Sequence, residues 1–128
     1  MELVVGTATP ILFPTVTRSE PRSRYTVYDP LTGIFQVPYG YEGNYNVNTQ
    51  LTVDATSAPD AVLNIAFLVN GVAINSSIQN ITGGTTQTFS VNATPYLSNG
   101  NNLRVVVTSD VGDVRVVPVS NLSIVRIN

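Results

Sequence analysis

From Asn44 to Asp54 the sequence alternates with a period of two. Tyr45, Val47, Thr49, Leu51 and Val53 fall on one side, and Asn44, Asn46, Asn48, Gln50 and Thr52 on the other. In an extended chain successive side chains point to opposite faces, so this pattern demands a strand with one face in a core and one in a wetter place. A helix would scatter the same residues around its axis. This stretch therefore commits the chain to a sheet whose buried face must be covered.

The rest of the chain is punctuated at strand-like intervals. Tyr25–Tyr28 and Ile34–Val37 are short strand candidates, closed by Asp29-Pro30 with Gly33 and by Pro38 with the Tyr39–Gly43 corner. Val62–Val69 is apolar on both faces, which predicts cover on both sides. Asn70-Gly71 comes next, and Val72–Ile74 resumes the apolar pattern. Asn-Gly between such runs predicts a tight hairpin, because both central residues of that turn need positive φ. Thr86–Val91, Leu103–Thr108 and Val114–Ile127 complete the set, the last divided at Pro118 because proline cannot donate to a ladder. No helical window, internal repeat or low-complexity tract is present. Many short strands with evenly spaced turns predict an all-β, antiparallel β-sandwich.

Composition narrows the chemistry. The 128 residues suit one domain, and 43% hydrophobic content argues against disorder. Charged residues are only 11% and the net charge is -2, so nothing draws the chain to nucleic acid or to an anionic membrane. Cys, His, Trp and Lys are absent. The usual general base, thiol nucleophile and Schiff-base amine are thus missing, and no cofactor or metal is expected. The eight acidic residues are dispersed, so a distant pair meeting in the fold, as in a glycosidase, is the weaker expectation. Asp110-Val111-Gly112-Asp113 could offer oxygens to Ca²⁺ but reads as a turn. Sequons at Asn75, Asn80, Asn92 and Asn121 are read as chance in a chain rich in Asn, Ser and Thr. Glu2 stands where a secretory signal carries a cation, and Pro10 and Pro14 cut the apolar run, so neither a signal nor a membrane insertion is expected.

Residues 1–24 differ in character from residues 25–128. Pro10, Pro14 and Pro21 interrupt regular structure, and Arg18, Arg22 and Arg24 cluster near the end. Two readings stand: an extended N-terminal arm whose arginines dock on a partner's carboxylates, or a first edge strand with a solvated charged corner. The first divides the chain into an arm, 1–24, and a domain, 25–128. Tyr39 and Tyr41 lie in a Gly-flanked corner, either presented to a sugar or protein partner or packed over the sandwich end.

Thr32-Gly33-Ile34-Phe35-Gln36-Val37-Pro38, followed by Gly43-Asn44-Tyr45-Asn46-Val47, resembles the globular head of complement component 1q, which shares its jelly roll with tumour necrosis factor. Phe67–Gly71, Tyr96–Val107 and Asn121–Ile127 are similar to that family's central hairpin, its Gly-containing turn and its closing strand. The corner Tyr39–Glu42 is longer than the family's link, and Gly100-Asn101 stands where an acidic residue is common. The resemblance implies a tumour-necrosis-factor-like jelly roll assembled as a homotrimer, each subunit burying one sheet. The apolar runs that ask for cover place Leu63, Ile65, Phe67, Leu103, Val105 and Val107 at the expected trimer interface.

These features point away from an enzyme and toward a virion structural protein, as in a bacteriophage: a homotrimeric decoration or cement protein on the virion surface, held to a capsid by the arm. The alternatives are a receptor-binding head of a viral fibre or spike, contacting a surface glycan or protein, and a secreted complement-1q-like binding module.

Overall fold

The computed structural model describes residues 2–13, 15–18, 28–118 and 120–127, with the side chains of residues 15, 17 and 18 outside the description. Among these residues every regular element is a strand. Two sheets pack face to face. One runs β3 (Tyr28–Asp29), β4 (Ile34–Gln36), β10 (Asn102–Ser109), β6 (Ala61–Val69), β7 (Val72–Ile81), with β1 (Thr9–Pro10) pairing with β10 beyond the end of β4. The other is built on β5 (Gly43–Asp54). Val47 pairs with Ala93 and with Ile124, so β8 (Thr86–Ala93) and β12 (Asn121–Arg126) flank β5 on opposite sides. The short β9 (Tyr96–Leu97) and β11 (Arg115–Val116) extend those two flanks, and β2 (Thr15–Arg18) lies outside β12. Every ladder between these strands is antiparallel except β2·β12.

The alternation in β5 is realised residue by residue. Tyr45, Val47, Thr49, Leu51 and Val53 are completely buried, and Asn44, Asn46 and Gln50 are exposed. The one polar residue on the inner side is satisfied, as Thr49 Oγ1 donates to the Asn121 carbonyl at 3.0 Å. Phe35 from the opposite sheet meets Tyr45 edge-on, ring centroids 6.2 Å apart. The hairpin between β6 and β7 turns at Asn70 and Gly71, with φ of 52° and 82°, as the Asn-Gly pair predicts. The division of the last run at Pro118 also holds, with β11 before it and β12 after.

Two expectations are corrected. First, Leu63, Ile65, Phe67, Val105 and Val107 are 0% exposed and Leu103 is 1% exposed within the single chain. They face the β5 sheet of their own chain, so a closed sandwich leaves none of them to a subunit interface. The outward side of β6 is not fully covered either: Val62 is 39% exposed and Asn64 is exposed, while Ala66 is buried. Second, the described part of residues 1–24 is no free arm. Leu3, Ile11 and Phe13 are at most 2% exposed, inside the same core. The Leu3, Gly6 and Ile11 amides donate to the carbonyls of Val114, Ser109 and Val105, each at 2.9 Å. The Phe13 amide donates to the buried Tyr28 hydroxyl at 2.9 Å. Burial raises the Tyr28 pKa above its ordinary value, against the lowering effect of that bond. These residues belong to the sandwich, with β1 paired along β10, and no domain boundary separates them from the strands they pack against; the charged corner of the edge-strand reading lies outside the described residues.

Candidate functional site

Among the described residues, aromatic, acidic, amide and cationic groups converge at the sandwich end that carries the Tyr39–Gly43 corner. The corner begins where β4 stops. The Val37 amide donates to the Asn101 carbonyl at 3.0 Å, and the Gly100 amide returns a bond to the Val37 carbonyl at 2.8 Å. These bonds clamp the corner to the Ser98–Asn101 turn. Gly40 sits at φ 90°, a conformation that L side chains rarely adopt, and its amide donates to Asn99 Oδ1 at 3.0 Å.

The structure separates the two tyrosines the sequence singled out. Tyr39 is 90% exposed, held out by the turn. Tyr41 is half-buried against the core, and its carbonyl accepts the Tyr45 hydroxyl. Tyr39 is thus presented and Tyr41 packs over the sandwich end. Of the arginines expected at a partner contact, Arg18 ends β2 with its backbone opposite Ile124, while Arg22 and Arg24 lie outside the described residues.

Four residues absent from the sequence-based site complete the surface. Glu42 is its centre: Oε2 accepts the Tyr96 hydroxyl at 3.0 Å and Oε1 accepts Asn99 Nδ2 at 3.3 Å. Arg126 Nη2 donates to the Glu42 carbonyl at 2.9 Å. Tyr96 is brought there by the two-residue pairing of β9 with Gly43 and Asn44, and remains 58% exposed. Its pKa is raised above the ordinary value, chiefly because its hydroxyl donates to the Glu42 carboxylate. The result is a platform with two exposed phenol rings and an exposed carboxylate beside a half-buried amide and guanidinium, suited to contacts with hydroxyl-rich or peptide ligands.

Beside it lies an open groove of about 360 Å³ between the edges of β7 and β8, lined by Ile74, Asn75, Asn92, Ala93, Thr94 and Pro95. Its amides are tied into the fold: Asn75 Nδ2 donates to the Asn92 carbonyl at 2.9 Å and Asn92 Nδ2 to Asn46 Oδ1 at 2.7 Å. Those two sequon asparagines and Asn80 are exposed, and Asn121 is half-buried.

At the opposite end a cavity of about 250 Å³ is lined by Asp54, Thr56, Ser57, Asp113 and Arg115. The Asp54 carboxyl is held below its ordinary pKa, first by the Thr56 hydroxyl and then by the Thr56 amide, both of which donate to Oδ1. Asp110, the other end of the candidate calcium turn, has Oδ1 engaged by the Val62 amide at 2.8 Å. It closes the turn onto β6. No protein-family profile and no curated protein matches the chain.

Proposed function

We propose that the chain is a non-catalytic structural protein of a virion, a homotrimeric jelly roll that decorates or cements a capsid. The observation that carries this reading is the strand order. Taken in sequence, β2, β4, β5, β6, β7, β8, β10 and β12 are eight strands, and they interleave as β2-β12-β5-β8 against β4-β10-β6-β7. First lies beside last and second beside seventh, an order that supports the winding of a double Greek key. The departure is the parallel direction of β2 against β12. Together with the Gly33–Val47 block, this order supports the tumour-necrosis-factor-like reading and, through it, the three-fold assembly.

With the apolar strands used inside the sandwich, a trimer has outward faces to work with. The outward face of the β5 sheet carries Asn46, Asn48, Gln50, Ser90, Asn92 and Ser123, hydrogen-bonding groups without formal charge. Three copies can meet there without like-charge opposition. Anchorage to a capsid falls to the loops and the remaining sheet face, since Leu3, Ile11 and Phe13 are committed to the chain's own core. Light scattering at micromolar concentration is expected to give three times 13.7 kDa. Gln50→Lys is expected to dissociate the assembly while leaving the circular dichroism spectrum unchanged. A wild-type monomer would sink the trimer, and a genomic setting without capsid or portal genes would count against the virion role.

The Glu42-centred platform favours a second reading, a receptor-binding head that contacts a surface glycan or protein. On that reading a glycan array scores binding that Tyr39→Ala and Tyr96→Phe each weaken. Loss of the Tyr39 ring as an aromatic anchor is expected to cost about 2 kcal/mol, roughly 30-fold in affinity, whereas Tyr96→Phe keeps its ring and gives up only a hydroxyl, about 1 kcal/mol. Equal binding by the wild type and both variants would place recognition elsewhere.

A further inference from the structure

We propose that β7 is a self-pairing edge, through which two copies of this chain join their β7 strands antiparallel about a two-fold axis at Ile78. Among the described strands β7 pairs only with β6, so its other edge presents unpaired backbone donors and acceptors. Such an edge templates another strand unless charge, proline or a bulge blunts it. Residues 72–81 contain neither a charged residue nor a proline. The register shift in this ladder lies opposite Phe67/Leu68, which falls before Ser76. From Ser76 to Ile81 the ladder with β6 is unbroken.

That regular stretch is nearly symmetric about Ile78. Antiparallel pairing there sets Ile78 opposite itself, Ser77 opposite Gln79, and Ser76 opposite Asn80, each pair on a shared face. Ser77 and Gln79 are already bonded along the strand, Gln79 Nε2 donating to Ser77 Oγ at 2.8 Å, and across the seam the same groups meet again. Ile78 is 63% exposed, and Val62 on the same outward face is 39% exposed. Val62 pairs with Asn80 and Asn64 with Ile78, so the two apolar side chains are diagonal neighbours. The pairing therefore lays an Ile78–Ile78 contact between two flanking valines. A second copy fits this edge because the strand is uncharged, so like-on-like pairing brings no repulsion, and because its two halves are mutually complementary.

The inference is independent of the three-fold assembly, which uses the other sheet. The native chain has no cysteine, so Ile78→Cys introduces a single thiol. With a short bis-maleimide, that variant is expected to form a two-chain product at least about tenfold faster than Leu31→Cys, because pairing raises the local thiol concentration far above bulk. Leu31 is a fair control at 84% exposure, in the turn between β3 and β4. In parallel, Ile78→Lys is expected to halve the native mass at high concentration with an unchanged circular dichroism spectrum. Cross-linking of the Ile78→Cys variant no faster than that of Leu31→Cys, or a native mass untouched by Ile78→Lys, would overturn the pairing. Failure of the trimer alone appears differently: Gln50→Lys then changes nothing, and the Ile78→Cys variant still forms its two-chain product.

Discussion

Truncating Phe67 to alanine is expected to lower the free energy of unfolding by about 3–5 kcal/mol, with no dependence on protein concentration. The side chain is 0% exposed and lies between Ile65 and Val69 on the inner side of β6, facing Leu103 and Val105 on β10 and the β5 sheet beyond. Removing the ring forfeits its transfer free energy and leaves a hole that close-packed neighbours fill only in part. If Phe67 instead sealed a subunit interface, its loss would act through mass action, and the unfolding midpoint would move with protein concentration. Urea denaturation followed by circular dichroism at two concentrations a hundredfold apart, on the order of the range where RT ln of the ratio reaches 2.7 kcal/mol, separates the two cases. Val62→Ala is the matched control. It sits on the outward side of the same strand and is expected to cost under about 1 kcal/mol, since it gives up a half-exposed side chain and opens no cavity.

That contrast explains what could be read in the sequence. In β5 polar and apolar residues alternate, so the pattern names both the element and its buried side, and every inward residue is buried as expected. In β6 both sides are apolar, so the period-two signal vanishes. The need for cover is legible there, but not whether the cover is the chain's own second sheet or another copy. The Asn70-Gly71 turn was legible because its backbone demands those residue types. Beyond it β7 runs to Ile81, but NSSIQN is polar apart from Ile78 and shows no alternation, which hid a long exposed edge.

The candidate site divides in the same manner. Tyr39 and Tyr41 were visible as a Gly-flanked aromatic corner. Glu42 gained its meaning only from Tyr96, Asn99 and Arg126, which lie 54, 57 and 84 positions away and arrive through sheet pairing. The two-residue β9 that delivers Tyr96 carries no periodicity to detect. The N-terminal segment misled for a related reason. Its prolines break the strand pattern, yet Leu3, Ile11 and Phe13 are isolated apolar anchors that insert singly into the core.

Deleting residues 1–13 is therefore expected to unfold the domain. On the arm reading the truncated chain keeps its native structure and loses only particle binding. On the structure it loses three large side chains that are at most 2% exposed. Burying each is worth about 1.5–3 kcal/mol, which sums to a substantial part of the 5–15 kcal/mol that roughly bounds a domain's net stability. The losses go further than area. The β1 pairing covers one edge of β10 opposite Val106 and Val107, and its removal opens that edge. Tyr28 loses the Phe13 amide bonded to its hydroxyl, leaving a buried polar group to be resolvated. The turn at Gly33 is shaped to the same segment: a Cβ built there would lie 2.6 Å from the Ile11 carbonyl oxygen, so the glycine leaves room for backbone that the deletion removes. One-dimensional proton spectra of the truncated chain are expected to collapse to random-coil dispersion, with a urea transition that is absent or shifted far toward zero denaturant. A dispersed spectrum and a wild-type midpoint would restore the arm as a separable anchor.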